Sequence, residues 1–427
     1  MDLEGTETFP DDYKYGTIKL ESNVRTMSTD FFETISQAHG PYFKTLQNHE
    51  YFDLTSGAGA MNYGFSHKLM KEELIKYIKS DGITNSLDYF TTSREKFMKS
   101  FNKNILSPRN LKYSIQFTGP TGANSVEAAL KLARKITKRK NVAAFTGAYH
   151  GLSLGALSAS SNDYLRKTSE NLLDGIVRLP YDGYFSEGSN AVGQLRKIYS
   201  DPASGYDKPA AFIVETIQGK GGMRTASQEW LRGVQQLAKD LGSLFIIDDI
   251  FAGGGRTGDF FSWEKMGLSP DIVCLSKSVS GYGLPLSLLL IKPESDLWSP
   301  GEHAGTFRGN SHAFVTGSIA SELWSNPRFI KNISELIYCI EGSLGEIHHM
   351  SHGEVNLVGR GLMRGLKFNN FELTKKIILL LRNEGIYTSA CGGNNEVLKI
   401  LPPLITEVSI LLDVLDRVKR ALIKIKY

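Results

Sequence analysis

Three short, continuously apolar runs constrain this chain more than any other feature: Ala211-Phe-Ile-Val-Glu215, Leu244-Phe-Ile-Ile-Asp248 and Asp271-Ile-Val-Cys-Leu275. Each ends close to a polar residue and none alternates apolar with polar positions, which is the pattern of a parallel strand covered on both faces. Helical stripes lie around them. Trp230, Val234, Leu237 and Leu241 recur at helical spacing and lead into the run at Leu244, while Val126, Ala129, Leu130, Ala133 and Ile136 precede Val142-Ala-Ala-Phe145. Strand and helix therefore alternate through the middle of the chain. This predicts an α/β fold with a mainly parallel sheet, right-handed crossovers and a ligand crevice at the carboxyl ends of the strands.

The flanks differ. The stretch from Tyr181 to Ala210 is rich in Gly, Ser, Asp and Pro and reads as a surface connection. Beyond Ser311 the pattern changes to long helices, with Leu362-Met-Arg-Gly-Leu366 as a strand and a final amphipathic helix through Ile410, Val414, Leu415, Val418 and Leu422. The chain has 427 residues, enough for two or three folding units at roughly 150 residues each. We expect a large α/β domain over 56–310, a smaller α+β domain over 311–427, and an N-terminal segment, 1–55, packing with the smaller one.

Composition narrows the partners. The 49 basic and 45 acidic residues leave a net charge of +4, too little to hold nucleic acid or anionic lipid by electrostatics. The basic run Lys131–Lys140 closes an amphipathic helix, where cations suit the negative end of the dipole. Three scattered cysteines, Cys274, Cys339 and Cys391, argue for a reducing compartment and against a disulfide or zinc framework. His348, His349 and His352 lack a carboxylate or thiol at ligand spacing, so no metal is expected. The acidic start Met1-Asp2-Leu3-Glu4 is unlike a secretory leader, and no apolar run approaches the roughly 20 residues of a membrane span. The expectation is a cytoplasmic protein acting on small molecules.

Four places could carry chemistry. Thr118-Gly-Pro-Thr-Gly-Ala-Asn-Ser125 opens into the helix from Val126; such a turn can offer free N–H groups to a phosphate, or simply cap the helix through Asn124 or Ser125. Asp248-Asp249 ends a strand, where an aspartate can cap a helix, bind a metal or oppose a protonated nitrogen. Gly253-Gly-Gly-Arg-Thr-Gly258 matches the dinucleotide pattern formally, but Phe260-Phe-Ser-Trp263 follows where a helix is required, so it is rejected as a nicotinamide site. Lys277, just past the strand Asp271–Leu275, is placed to lose its proton in a crevice and act as a nucleophile, or else to snorkel outward.

Taken singly these are weak, but together they converge. Pyridoxal 5'-phosphate needs a phosphate cradle, an aromatic face, a carboxylate holding the pyridinium proton and a Schiff-base lysine. The chain offers Thr121 and Gly122, then Tyr149, then Asp248, then Lys277, each near a strand end or helix start.

At this point whole motifs can be compared. Phe117-Thr-Gly-Pro-Thr-Gly-Ala-Asn-Ser-Val-Glu-Ala-Ala129, Phe145-Thr-Gly-Ala-Tyr-His-Gly151, Ile213-Val-Glu-Thr-Ile-Gln-Gly219, Ile247-Asp-Asp-Ile250 and Leu275-Ser-Lys-Ser278 resemble the class III, fold type I pyridoxal-phosphate aminotransferases. Within them, Gly57-Ala-Gly-Ala-Met-Asn-Tyr-Gly64 and Pro300-Gly-Glu-His-Ala-Gly-Thr-Phe-Arg-Gly309 are most similar to diaminobutyrate–2-oxoglutarate aminotransferases. The resemblance runs from about Ser22 to the C-terminus. It implies a homodimer with active sites at the interface, and amino acid and oxo acid substrates. It implies Lys277 as the Schiff-base residue and proton shuttle, and Asp248 as partner of the pyridine nitrogen. Tyr149 and Ile250 would take the two ring faces, and Glu215 would join the cofactor site. Thr121, Gly122 and Ala123 would hold the phosphate, completed by Thr306 from the partner subunit, and Lys399 would hold a substrate carboxylate.

The chain also departs from the family. Phe251 stands where a Gln usually meets the cofactor's phenolic oxygen, Ala123 lacks a frequent hydroxyl and Val358 replaces a frequent Arg; Lys220 replaces a Glu that gates the substrate, so that Lys220 and Lys399 would be two like charges at the substrate, suited to a strongly anionic one. The resemblance implies transfer of an amino group from glutamate to aspartate 4-semialdehyde, giving 2-oxoglutarate and 2,4-diaminobutyrate. The departures leave open the same fold and cofactor turned to decarboxylation, elimination or substitution.

Overall fold

The computed structural model describes residues 22–24, 31–185 and 190–425. The residues read for a leader, Met1 to Glu4, lie outside them. At the centre is a seven-stranded sheet whose strands are, in chain order, β1 (Ser114–Gly119), β2 (Val142–Phe145), β3 (Ile176–Leu179), β4 (Ala211–Val214), β5 (Leu244–Asp248), β6 (Ile272–Leu275) and β7 (Ser287–Ile291). Their spatial order is β1-β7-β6-β5-β4-β2-β3. Neighbours pair in parallel except around β7, which runs antiparallel to both β6 and β1. Every residue of β2, β4, β6 and β7 is buried, as a sheet covered on both faces requires.

The three apolar runs that predict a parallel sheet are thus β4, β5 and β6, adjacent and with their carboxyl ends side by side. The helices around them are α1 (Gly122–Thr137), α2 (Ala191–Ser200) and α3 (Gln228–Leu241). The stripe of α3 buries Trp230, Val234 and Leu237. Its first turn is capped by Ser227, whose hydroxyl accepts from the amide of Trp230 at 3.2 Å, and Gly242 ends it in the left-handed region with φ 63°.

Two expectations need correction. The Tyr181–Ala210 stretch is not connection throughout, because α2 lies within it. Its stripe is short, Ala191, Leu195 and Tyr199, and the Tyr199 ring meets Phe212 of β4 at a centroid distance of 5.9 Å. Flanking turn residues hide a helix of this length. Nor is α1 capped by Asn124 or Ser125: it starts at Gly122 with Thr121 as its cap residue, and Asn124 folds back so that its Oδ1 accepts from the amide of Thr121 at 3.1 Å.

Beyond the sheet, α4 (Ser311–Leu323) and α5 (Pro327–Met350) precede an antiparallel four-stranded sheet of Asn356–Arg360, Met363–Lys367, Val397–Ile400 and Ala390–Cys391. Helix α6 (Phe371–Asn383) packs on the Val397–Ile400 strand, and α7 (Val408–Ile425) packs on α5 and α6. A strand at Glu50–Asp53 pairs in parallel with Ile386–Tyr387, so residues near the start of the described chain are tied to its last third. Among the described residues no helix is long and apolar enough to cross a membrane.

Candidate active site

A cavity of about 500 Å³ opens where β4, β5 and β6 end, between the large sheet and the C-terminal one. It is lined by Thr121, Gly122 and Ala123 at the start of α1, by Tyr149 and Glu215, by Asp248 at the end of β5 with Ile250 and Phe251 beyond it, and by Lys277, Lys220 and Lys399. The residues from Thr121 to Lys277 meet because the strands of the large sheet end together, and the Val397–Ile400 strand of the C-terminal sheet brings Lys399 to the same opening.

Strand alternation assigns the paired aspartates. Asp248 faces the cavity, only 4% exposed, with Oδ2 2.7 Å from Nδ1 of His150 and Oδ1 accepting the amide of Ile250 at 3.1 Å. Asp249 points away and accepts the amide and hydroxyl of Ser262. Burial pushes its carboxyl up to about 7, although the Ser262 bonds oppose this. Asp249 is a structural anchor for the turn after β5.

Glu215, one residue past β4, accepts the amide of Tyr149 at 2.9 Å. Burial pushes its carboxyl up to about 7, with nearby His150 pulling it down and Asp248 pushing it up. The bond fixes the loop that carries Tyr149 and His150. In the sequence His150 is marked only by its place next to Tyr149, which assigns it no role. Its side chain is fully buried and its Nε2 has no partner among the described residues.

Lys277 follows β6 with φ 50°, in the left-handed region that a residue with a Cβ rarely adopts. Its Nζ lies 3.8 Å from the centre of the Phe251 ring. Burial drives this amine down to about 8, against the pull of Asp248 and Glu215, and Lys399 and Lys220 lower it further. An amine partly unprotonated near neutral pH is a competent nucleophile and proton carrier.

Phe251 keeps that position by filling a slot with no side chains on either wall. A Cβ on Gly59 would stand 2.6 Å from its ring and one on Gly219 only 2.1 Å.

The amides of Gly122 and Ala123 open α1 ahead of any helical carbonyl partner, whereas that of Asn124 donates to the carbonyl of Thr121 at 3.0 Å, and the dipole's positive end faces the same cavity. A Cβ at Gly122 would approach Ile250 Cδ1 to 2.8 Å, and one at Gly151 would approach the Cβ of Ala123 to 2.7 Å, so the backbone here closes to a bare cradle. Thr306 is exposed and does not line this chain's cavity. Val358 packs in a small apolar cluster with Phe251 among its neighbours and is likewise absent from the lining.

The Gly253–Gly258 stretch has a structural use. Arg256 is fully buried; its Nε donates to Asn62 Oδ1 at 2.7 Å and its Nη1 to the carbonyl of Pro402 at 2.7 Å, while Asn62 Nδ2 returns a bond to the carbonyl of Gly254 at 2.9 Å. The glycines, with φ 63° at Gly254 and 98° at Gly255, let the loop wrap this guanidinium.

These residues fit pyridoxal phosphate: an anion cradle at a helix N-terminus, a buried carboxylate for a ring nitrogen, two faces at Tyr149 and Ile250, and an amine of lowered pKa. The chain is 44% identical over 408 residues to an uncharacterised aminotransferase of Sinorhizobium fredii, covering 94% of this chain and 91% of that one. It is 44% identical over 406 residues to a diaminobutyrate–2-oxoglutarate transaminase of Vibrio cholerae, covering 93% and 98%. The structure superimposes on an ornithine aminotransferase of Toxoplasma gondii with a TM-score of 0.83 at 21% identity, covering 98% and 95%. A transaminase of Bacillus megaterium gives a TM-score of 0.85 at 19% identity, covering 97% and 98%. The family described as aminotransferase class III matches residues 24–422, and the chain belongs to it: a fold type I aminotransferase dependent on pyridoxal phosphate.

Proposed function

We propose that this aminotransferase moves an amino group from L-glutamate to L-aspartate 4-semialdehyde, giving 2-oxoglutarate and L-2,4-diaminobutyrate, in two half-reactions on one site. The observation that carries the chemistry is Lys277, an amine lowered to about 8, in one cavity with the buried Asp248–His150 pair. The substrate assignment is supported by the 44% identity to diaminobutyrate–2-oxoglutarate transaminases.

The amides of Gly122 and Ala123 and the side chain of Thr121 would hold the cofactor's phosphate, with Tyr149 and Ile250 against its ring. When bound there, pyridoxal phosphate supplies a protonated pyridine ring that accepts the electron pair left as a substrate carbon loses its proton. Asp248 would keep the ring nitrogen protonated, and His150 Nδ1 holds that carboxylate in place at 2.7 Å. Lys277 Nζ would take the proton from the substrate carbon and return it one position away.

A homodimer belongs to the same proposal. The exposed loop carrying Thr306, with Phe307 71% exposed and Phe90 97% exposed, supports an interface at which Thr306 completes the partner's phosphate cradle.

The decisive experiment mixes the loaded protein with glutamate alone. Formation of pyridoxamine phosphate and 2-oxoglutarate in equal amounts is expected, followed by diaminobutyrate when the semialdehyde is added. A glutamate-treated protein that forms neither excludes the reading.

A further inference from the structure

Two lysine amines line the cavity, and neither is ion-paired to a carboxylate among the described residues; the buried Asp53 reaches Lys399 only through its field. Lys399 projects from the Val397–Ile400 strand, and its Nζ donates to the neutral hydroxyl of Ser389 at 3.1 Å. Lys220 follows the short strand Ile217–Gln218, and its Nζ stands 6.0 Å from the centre of the Tyr149 ring.

Their neighbourhood is built into the fold. The amide of Gly392 donates to the carbonyl of Lys220 at 3.1 Å, and Lys399 is pinned by its own amide to the carbonyl of Ser389 at 3.0 Å and through its carbonyl by the hydroxyl of Thr388 at 2.7 Å. The Lys220 loop and the strand of Lys399 thus meet through the Thr388–Gly392 segment. The cavity's acidic groups are committed elsewhere, Asp248 to His150 and Glu215 to the amide of Tyr149. Burial lowers the Lys399 amine and the nearby Lys220 charge lowers it further, while Cys391 and the buried Asp53 oppose the shift. Like charges held in a cleft repel one another and concentrate anions there, and a bound anion removes the repulsion.

We propose that Lys220 and Lys399 together form a receptor for a small dianion, so that a substrate with two negative charges is taken in preference to a monoanion or zwitterion of the same length. This rests on the amino acid and oxo acid reading of the cavity and adds the charge it selects. A single carboxylate needs one cation; the second ammonium is useful only to a second negative charge and is repelled by a substrate's own ammonium. Glutamate's two carboxylates satisfy the receptor, whereas 2,4-diaminobutyrate brings two further cations and is released.

The test uses unreactive probes on the cofactor-loaded protein: calorimetric titration with glutarate, propylphosphonate and butyrate. Glutarate is expected to bind about tenfold or more tightly than butyrate, and its affinity to fall as salt rises. Lys220→Gln and Lys399→Gln should each weaken glutarate about tenfold while changing butyrate far less, and Lys399→Arg should retain the preference. Lys220 is exposed, so its substitution leaves the core untouched. Tight propylphosphonate binding would place both charges at one end of the ligand, and tight glutarate binding at two; either preference over butyrate upholds the receptor. Equal affinity for all three probes, or glutarate binding indifferent to Lys220→Gln, overturns it. Lysine-dependent glutarate binding by a protein that does not convert glutamate would leave the receptor standing and remove only the proposed reaction.

Discussion

The Nδ1 atom of His150 lies 2.7 Å from Oδ2 of Asp248, and both side chains are almost wholly withdrawn from water. In so dry a setting an ionised carboxylate is costly unless a donor meets it. His150 supplies one donor and the amide of Ile250 another at 3.1 Å. The carboxylate is thereby met by two donors and aimed into the cavity.

Asp248→Asn is therefore expected to lower kcat at least about a hundredfold, because a neutral amide cannot hold a proton on the ring nitrogen. His150→Gln, which keeps a donor in poorer register, should cost roughly tenfold with KM little changed. Steady-state kinetics with the cofactor's absorbance spectrum would check both. An Asp248→Asn enzyme with native kcat and spectrum would remove the carboxylate from the chemistry.

Lys277→Met should abolish turnover and the borohydride-trapped adduct with pyridoxal phosphate. It has a second, thermodynamic signature in the cofactor-free protein. An unfolded lysine keeps its proton to about 10.5, but folded Lys277 only to about 8. Below pH 8 the folded state carries the full penalty of a buried charge, and the penalty fades as pH rises from 8 to 10.5. The variant should gain about 1–3 kcal/mol at pH 7 and nothing near pH 10.5. Urea unfolding at the two pH values measures the difference; an equal gain at both would mean that the amine is not desolvated.

Gly219→Ala should destabilise the protein by about 1–3 kcal/mol, since the new Cβ would be 2.1 Å from the Phe251 ring. In a Phe251→Ala background the same change should cost far less, because the clash has gone. A double-mutant cycle by chemical denaturation reports the coupling. Additive effects would show that the ring does not occupy the slot between Gly59 and Gly219.

Arg256→Ala should cost about 3–5 kcal/mol, from an unfilled space and from acceptors at Asn62 and Pro402 left without donors in the core. Loss of stability with normal cofactor affinity in the surviving folded fraction is the expected pattern.

Much of the sheet was legible beforehand because burial on two faces leaves a direct mark, an unbroken apolar run. Such runs mark β4, β5 and β6 to within a residue, and the amphipathic stripes mark α1 and α3. Helix α2 was not legible, since three apolar positions among turn residues carry too little periodicity. The start of α1 was misplaced because Asn124 has the chemistry of a cap residue but serves as the side chain that folds back onto one.

The site divides in the same way. Lys277, Asp248, Tyr149 and Gly122 could be named from residue type beside a strand end or helix start, since topology places all such ends along one crevice. Which aspartate of the pair faces that crevice, that His150 sits against Asp248 across 98 positions of chain, and that Phe251 covers Lys277 are matters of packing. Local sequence determines whether a segment can bury one face or two, and so determines the elements and their ends. Distances between side chains on different elements depend on register, twist and the volumes packed between them, and those are settled only when the whole core closes.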